Sequence, residues 1–389
     1  MSAGARASNF VMNWKIEGLK RIDGILGGIA CSVSRLLARP EKGPGNTPPN
    51  ILVIRPGGIG DAVLLYPALA VLRQEFPGSV IHVLAEKRNA GILTDCPYID
   101  GVLLYDSSPL GTLSGVVKEG YDIVIDTEQW HRMTAALAYL TRARVRAGFA
   151  TNERARQFTN PVPHNRGDYE AVSFLNLISA VTGKEYTFDE DKPFLTIDRD
   201  KYGKAIAALG EFRAGKRAAV CIFTGATVKE RQWGTRKFAG LARSLAEDGL
   251  GIVLLGGPGD VQNSDEVKKG LDYKSVLDLT GKTSLMETAA VISMLDVLVS
   301  GDTGLMHIAY GAGTPTVSLF GAGIKEKWAP RGSRSVVINK RLSCSPCTEF
   351  GYTPPCPYGV RCLRDISVGE VKESALGLLS LTSPNDFSA

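Results

Sequence analysis

The stretch Gly301–Gly321 contains the residue types that a site for a phosphorylated ligand needs. It follows an apolar run that predicts a strand over Asp296–Ser300, and its Gly-Asp-Thr-Gly turn opens a predicted helix that carries His307. Backbone amides at the start of a helix have no partner within the helix and point outward, so they bind anions. With Asp302 and His307 beside these amides, the stretch predicts a site for a phosphorylated polar ligand such as a nucleotide sugar. A packing role inside the core is the alternative for His307.

A second glycine-rich turn, Arg55–Asp61, also follows an apolar run. Gly57, Gly58 and Gly60 allow the chain to turn sharply and let a ligand approach the backbone. Asp61 is predicted to begin the next helix, where its carboxylate can accept the proton of an incoming hydroxyl as a general base. A capping residue that only starts the helix is the alternative. The turn lacks the Gly-x-Gly-x-x-Gly spacing, so the dinucleotide fingerprint is not met.

Two further turns after predicted strands carry residues that suit a nucleotide. In Thr224–Gly234, Thr227 and Arg231 are candidates for contact with phosphate oxygens, because arginine offers a fork of permanently charged donors. In Leu255–Asp260, the glycines bring the backbone close to a ligand, and Asp260 is a candidate for binding ribose hydroxyls. A solvated loop for the basic residues and a capped turn for Asp260 are the alternatives.

Four of the seven cysteines are clustered near the end of the chain: Cys344, Cys347, Cys356 and Cys362. Four thiolates in a loop rich in proline and glycine can surround one tetrahedral metal ion. Such a loop lacks regular elements of its own, so a structural zinc or iron would supply the missing stability. Disulfide bonds are the alternative if the protein meets an oxidising compartment, although the scattered remaining cysteines fit a reducing one.

Strands and helices alternate along the chain in two runs, one from Ile51 and one from Ala218, with a polar interval at 198–217 between them. In the first run, one helix is predicted over Asp61–Phe76. This alternation predicts the α/β class, with parallel sheets covered by helices on both faces. We expect two Rossmann-like domains, at 46–205 and 206–389, with ligands in the cleft at the carboxyl ends of the strands.

The net charge of +5 is a mild basic excess that fits an anionic ligand or an anionic membrane surface. No nucleic-acid motif is present, so no nucleic-acid partner is expected. No stretch reaches the roughly 18 apolar residues of a membrane span. Residues 10–38 combine apolar residues near a helical period with Lys and Arg. Residues 1–45 are therefore predicted to be a linker and an amphipathic helix that makes peripheral membrane contact. A helix packed on the body of the protein is the alternative.

Together these turns resemble those of glycosyltransferase family 9, the ADP-heptose:lipopolysaccharide heptosyltransferases. The resemblance runs from about Ile51 to Ile366. The stretches that carry it are Arg55–Asp61, Gly225–Trp233, Gly256–Pro258 and Asp302–Gly321. It implies the GT-B architecture, with two facing Rossmann-like domains, the donor mainly on the C-terminal one and the acceptor mainly on the N-terminal one. It also implies an inverting reaction that needs no catalytic metal.

The resemblance implies roles for single residues. Asp61 looks like the family's general base. Thr227 resembles a threonine that contacts the donor phosphate, and Arg231 matches a position that the family usually fills with lysine for the same purpose.

The remaining donor residues follow in the same way. Asp302 looks like the residue that holds the sugar hydroxyls, while Thr303 and Gly304 are expected to present their amides to the diphosphate. His307 fits the histidine of that helix, and Asp260 stands where a family glutamate approaches the ribose.

The cysteine loop at 344–362 looks like the metal-binding loop of a family branch that includes protein-modifying heptosyltransferases. The predicted function is transfer of a sugar, heptose by resemblance, from a nucleotide diphosphate donor such as ADP-heptose to a glycolipid of the lipopolysaccharide core. A protein-modifying heptosyltransferase and a noncatalytic GT-B scaffold are the alternatives. We expect a cytoplasmic protein at the inner face of the inner membrane.

Overall fold

The apolar runs in front of the first and last glycine turns form central strands of two parallel sheets. The computed structural model describes residues 23, 27–36, 47–216, 218–226, 228–349 and 351–381. The chain divides into two compact units after Phe188. The sequence placed this boundary at 205. The segment after Phe188 belongs with the second unit because the amides of Phe194 and Leu195 both donate to Gly311 O, at 2.8 Å.

The first unit contains a six-stranded sheet in the order β3-β2-β1-β4-β5-β6, with every paired strand parallel. Its strands are β1 Ile51–Ile54, β2 Ile81–Ala85, β3 Gly101–Leu104, β4 Ile123–Asp126, β5 Val145–Phe149 and β6 Asn160–Val162. Every residue of β1 is buried. A central strand of a parallel sheet is covered by helices on both faces, which explains its uninterrupted apolar sequence.

The helices of the first unit are α1 Gly28–Leu36, α2 Ile59–Leu64, α3 Tyr66–Glu75, α4 Lys87–Leu93, α5 Pro109–Glu119, α6 Arg132–Leu140 and α7 Glu170–Thr182, with a 3₁₀ helix at Glu153–Gln157. The single helix predicted over Asp61–Phe76 is divided into α2 and α3 at Leu65. Pro67 explains the break, because proline fits the first turn of a helix but not its interior.

The second unit repeats the same arrangement, with the order β12-β11-β10-β7-β8-β9 and parallel pairing throughout. Its strands are β7 Ala219–Phe223, β8 Gly251–Leu254, β9 Val276–Asp278, β10 Val297–Gly301, β11 Thr316–Phe320 and β12 Ser335–Asn339. In both sheets the strand order reverses beside the first strand, between β1 and β4 and between β7 and β10. Ligands of open α/β sheets bind at the carboxyl ends of the strands at such a reversal.

The helices of the second unit are α8 Gly203–Arg213, α9 Thr235–Glu247, α10 Val261–Lys268, α11 Leu285–Ile292, α12 Gly304–Ala312, α13 Lys325–Trp328, α14 Arg361–Arg364 and α15 Val368–Leu381. Three short 3₁₀ helices are Lys229–Arg231, Pro258–Asp260 and Tyr273–Ser275. Helix α8 lies in the stretch that the sequence presented as a polar interval. Its buried residue is Leu209, and Arg213 anchors its end through an ion pair with Asp296 at 3.0 Å.

Helix α1 packs against α6. The carboxylate of Asp23 accepts hydrogen bonds from the amides of Arg132 and Met133, at 2.9 and 2.8 Å, where α6 begins. This part of the predicted N-terminal helix therefore packs on the first unit, and the rest of residues 10–38 lies outside the described chain. Within the described residues, every helix is too short or too polar to cross a bilayer.

Candidate functional site

Asp61 lies in the first turn of α2, after the carboxyl end of β1. Its Oδ2 accepts a hydrogen bond from the Gly58 amide at 3.1 Å, so the side chain also caps the helix. Gly57 has φ +111°, a conformation that favours glycine, and its amide donates to Glu86 Oε1 at 3.3 Å. A β-carbon at Gly57 or Gly58 would lie within 3.4 Å of Asp61 Oδ2, whereas Gly60 is simply the second residue of α2. Glycine at 57 and 58 therefore keeps the space in front of the carboxylate open.

Three ionisable residues to which the sequence gave no role gather where β1 and β4 end. Arg55 follows β1, and its Nη2 lies 3.9 Å from Glu128 Oε2. Glu128 follows β4, and its Oε1 lies 3.1 Å from His131 Nδ1. Burial raises the pKa of Glu128, but His131, Arg55 and Arg154 outweigh it and hold the pKa below its usual range. Their position in the sequence could have identified two of them as site residues, since Arg55 and Glu128 each follow a strand at the reversal of the sheet.

The second unit brings together two residues that the sequence assigned to the donor. Arg231, in the 3₁₀ helix after β7, forms an ion pair with Asp302, which follows β10: Nη1 and Oδ2 are 3.1 Å apart. Asp302 is buried, and a β-carbon at Gly323 would overlap its Oδ2. The neighbouring strands β7 and β10 thus place a cation and a carboxylate side by side at the reversal of this sheet.

The other residues of the Gly301 turn shape the start of α12. Thr303 occupies the N-cap position, and its hydroxyl lies 2.8 Å from Ser300 Oγ rather than capping the helix. Gly304 is the first residue of α12. His307 is buried on that helix, with its ring centroid 6.4 Å from that of Trp328. The first amides of α12 remain suited to bind an anion.

Asp260 joins the turns that follow β7 and β8. Its Oδ2 accepts a hydrogen bond from the Gly257 amide at 2.9 Å, which is the capping role considered from the sequence. A β-carbon at Gly225 would overlap Asp260 Oδ1, and burial raises the pKa of this carboxyl. The predicted phosphate contact Thr227 lies outside the described residues.

The cysteine loop packs on the turn that follows β11. The amides of Cys347 and Thr348 both donate to Ala322 O, at 3.1 and 2.9 Å. A β-carbon at Gly321 would lie 2.7 Å from Cys362 Sγ. Thr348 Oγ1 lies 3.5 Å from Arg231 Nη2, so the loop also reaches the Arg231–Asp302 pair.

The four cysteines of the loop, Cys344, Cys347, Cys356 and Cys362, are free thiols. Burial raises the pKa of Cys347 and of Cys362, and the other cysteines of the cluster raise it further, which places the four in one neighbourhood. Among the described residues, His, Cys, Asp and Glu form no group of three or more that is arranged to hold a metal.

A comparison with known protein families matches residues 113–354 to Glycosyltransferase family 9 (heptosyltransferase). This match covers more than half of the chain. The chain belongs to glycosyltransferase family 9. The predicted family and the glycosyltransferase activity are therefore confirmed.

Individual relatives agree with this family. Lipopolysaccharide heptosyltransferase 3 of Escherichia coli (strain K12) is 26% identical over 289 residues, which are 70% of this chain and 82% of that protein. Among solved structures, a family 9 glycosyl transferase from Veillonella parvula is 23% identical, with a TM-score of 0.71, and the match covers 86% of this chain and 98% of that one. The predicted GT-B fold, in the α/β class with parallel sheets, is confirmed.

A third relative is TibC, a dodecameric iron-containing heptosyltransferase solved in complex with ADP-D-beta-D-heptose. It is 15% identical, with a TM-score of 0.52, and the match covers 86% of this chain and 77% of TibC. At this identity the similarity concerns the fold alone. The roles of the single site residues remain predictions.

Proposed function

We propose that this glycosyltransferase transfers heptose from ADP-heptose to a hydroxyl of the lipopolysaccharide core, with inversion at the anomeric carbon. The observation that carries the proposal is the Arg231–Asp302 ion pair beside the first amides of α12. The names of the relatives support the choice of donor and acceptor, because one is named for lipopolysaccharide and another was solved with ADP-D-beta-D-heptose.

In this proposal the second unit binds the donor. The amides of Thr303 and Gly304 and the guanidinium of Arg231 offset the charge of the diphosphate. The same groups stabilise the leaving diphosphate as negative charge builds on it during bond cleavage. Asp302 holds the sugar hydroxyls, and Asp260 approaches the ribose.

The first unit supplies the general base. Asp61 takes the proton of the acceptor hydroxyl as the hydroxyl oxygen attacks the anomeric carbon. Its Oδ2 is held by the Gly58 amide, which fixes the direction of the carboxylate. The side chain thus combines helix capping with proton transfer.

Donor binding is tested by thermal unfolding with ADP- and UDP-sugars. A ligand that binds only the folded protein adds about 2.7 kcal/mol of stability at 100 times its Kd, so ADP-heptose is expected to raise the Tm by several degrees. UDP-sugars are expected to have little effect. If ADP-heptose does not shift the Tm, the proposed donor is wrong.

The base is tested with Asp61→Asn and Asp61→Ala. Asparagine keeps an oxygen for the Gly58 amide but cannot take a proton, whereas alanine loses both functions. Both variants are expected to bind ADP-heptose like the wild type and to lose about 10²–10⁴ of kcat. A kcat near the wild-type value for Asp61→Asn would refute the assignment.

A polypeptide acceptor is the second candidate, and the cysteine loop is the observation that favours it. The arrangement of four cysteines resembles that of protein-modifying heptosyltransferases. Radiolabelled ADP-heptose offered with truncated lipopolysaccharide and, separately, with a cell extract free of lipopolysaccharide separates the two. Label in the lipid supports our proposal, and label only in protein supports the second candidate.

We also propose that the cysteine loop takes up a structural metal, zinc or iron. Four sulfurs in one neighbourhood are a donor set that suits either metal. The iron of TibC supports the same assignment. Metal analysis of protein purified without an affinity-tag metal is expected to give about one ion per chain, and Cys344→Ser with Cys356→Ser is expected to abolish it. A content near zero in the wild type would contradict this assignment.

We further propose a cytoplasmic location with peripheral contact of residues 10–38 to the inner face of the membrane. Ile29 and Val33 of α1 support this, because they are 56% and 43% exposed while the helix packs on α6. Ile29→Glu with Val33→Glu is expected to reduce flotation with anionic lipid vesicles. Val80→Glu, at a valine that is 41% exposed elsewhere in the unit, is the control. Equal flotation of all three proteins would refute the contact.

A further inference from the structure

Arg55 has a buried guanidinium at the carboxyl end of β1. Its Nε donates to Pro56 O at 2.6 Å, and its Nη1 donates to Thr127 O at 3.3 Å. The guanidinium carbon lies 5.5 Å from the centroid of the Phe174 ring. These contacts fix the cation in one place below the surface. Only 5% of the residue is exposed.

The fixed guanidinium and the carboxylate of Asp61 border the same small space. A β-carbon at Gly57 would lie 3.1 Å from Arg55 Nη2 and 3.4 Å from Asp61 Oδ2. Because Gly57 has no side chain, nothing of that residue separates the cation from the carboxylate. Nη2 also lies 3.9 Å from Glu128 Oε2, so the cation stands near both carboxylates.

The carboxylates around Arg55 affect its pKa to different extents. Burial lowers the pKa of Arg55, but four carboxylates raise it above its ordinary value, and Asp61 has the largest effect among them. The others are Glu128, Glu170 and Asp126. Further ionisable groups at this edge of the sheet include Glu86, which accepts from the Gly57 amide, Arg88, which pairs with Glu86, His131, which pairs with Glu128, and Arg154, which pairs with Asp126.

We propose that Arg55 is a positioning residue for the transfer reaction: its fixed guanidinium favours the ionised form of Asp61, so that the carboxylate can accept a proton. An arginine suits this task because its charge persists at every physiological pH and its planar fork is held by two backbone carbonyls. The inference rests on the proposed role of Asp61 as the general base.

The experiment compares the pH dependence of kcat in wild type, Arg55→Met, Arg55→Lys and Glu128→Gln. An opposite charge within about 4–6 Å favours the ionised carboxylate by 1–3 pH units. Arg55→Met is therefore expected to move the acid limb of the profile up by about one pH unit, so that its loss of kcat is largest at pH values below the shifted limb. The loss is expected to shrink above the shifted limb.

The other two variants keep the proposal testable if Arg55→Met fails to fold. Arg55→Lys keeps the charge, so its acid limb is expected to stay within about 0.3 pH units of the wild type although kcat falls. Glu128→Gln removes the competing carboxylate, so its acid limb is expected to move down, opposite to Arg55→Met. Folding of each variant is checked by circular dichroism.

Arg146→Met is the matched control for the loss of a buried arginine. Arg146 is buried in the same unit and donates to backbone carbonyls, including Gln157 O at 3.0 Å, and it stacks on Tyr139 rather than standing beside Asp61. Its acid limb is expected to match the wild type. An unmoved limb in both Arg55→Met and Glu128→Gln overturns the proposal. If Asp61→Asn itself keeps the wild-type kcat, the proposed function fails first, and the two failures are thereby distinguished.

Discussion

Arg231 Nη1 lies 3.1 Å from Asp302 Oδ2, which joins the turn after β7 to the turn after β10. The ion pair fixes one side of the guanidinium. Arg231 Nε is buried and has no hydrogen-bond partner among the described residues. A buried donor without a partner costs about 1–3 kcal/mol, and a phosphate oxygen would remove that cost. The pair is therefore arranged to receive an anion on the side of Arg231 that faces away from Asp302.

Replacing Arg231 is expected to weaken binding of ADP-heptose. A hydrogen bond to a charged group contributes about 1.5–3 kcal/mol, so Arg231→Met is expected to raise the Kd by about 10- to 100-fold. Arg231→Lys keeps the charge but loses the forked donors of arginine, so its Kd is expected to lie between those of the wild type and Arg231→Met. Isothermal titration calorimetry measures the Kd. Lys229→Met is the control, because Lys229 is an exposed cation of the same 3₁₀ helix; equal losses for both positions would assign the effect to net charge alone.

Gly323→Ala is expected to disturb the same pair from the other side. Its β-carbon would overlap Asp302 Oδ2, so Asp302 must turn away from Arg231 or the turn after β11 must shift. We expect the KM for the donor to rise about tenfold or more, since Asp302 would lose a hydrogen bond to the sugar and the loss of one hydrogen bond to a charged group weakens binding by that factor. Steady-state kinetics with saturating acceptor measure it. Gly210→Ala is the control, because a β-carbon there meets nothing within 4 Å, and a KM as large as that of Gly323→Ala would contradict the argument.

The strands in front of the site were predictable because they are buried on both faces. Ile51–Ile54 and Val297–Val299 are continuous apolar runs, and the glycine turns after them mark where each strand ends. The same signal places Asp61 and Asp302, since both lie in the turns that follow these strands. In α8, by contrast, charged residues hide the apolar spacing around Leu209, so that helix was not predicted.

The partners of the site residues were not predictable from one sequence. Arg55 and Glu128 are 73 positions apart, and only the pairing of β1 with β4 brings them to one edge. The contact between Thr348 and Arg231 likewise depends on how the cysteine loop packs on the turn after β11. Local patterns predict elements and their ends, whereas the order of strands in the sheet decides which residues meet.

Glu128 is expected to stabilise the first unit at neutral pH and to lose this effect in acid. Its pKa in the folded protein lies below its usual range, so it contributes stability above its unfolded pKa of about 4.3, and this contribution is lost as the pH falls through the folded value. Glu128→Gln is therefore expected to be less stable than the wild type at pH 7 and to approach it below about pH 4. Urea unfolding at pH 3–7 measures the difference. Glu119→Gln, at an exposed residue ending α5, is the control; a gap between wild type and Glu128→Gln that widens in acid would contradict the sign.

Arg154 and Arg156 look alike in the sequence but differ in the structure. Replacing each of them is therefore expected to change the free energy of unfolding by very different amounts. The Arg154 side chain is fully buried and donates to Asp126 Oδ2 at 2.6 Å, whereas Arg156 is exposed. Removing one partner of a buried pair leaves an uncompensated charge, so Arg154→Met is expected to lower the free energy of unfolding by about 3–5 kcal/mol. Arg156→Met is expected to change it by no more than about 0.5 kcal/mol.

A double variant tests the physical reason for that loss. Arg154→Met with Asp126→Asn removes both charges, so it is expected to be more stable than Arg154→Met alone by at least about 1 kcal/mol. Urea unfolding at pH 7 measures the wild type, Arg154→Met, Asp126→Asn and the double variant. If the double variant loses the sum of the two single losses, the guanidinium stabilises the unit through its packing against Phe158, whose ring centroid is 5.4 Å away, rather than through the carboxylate of Asp126.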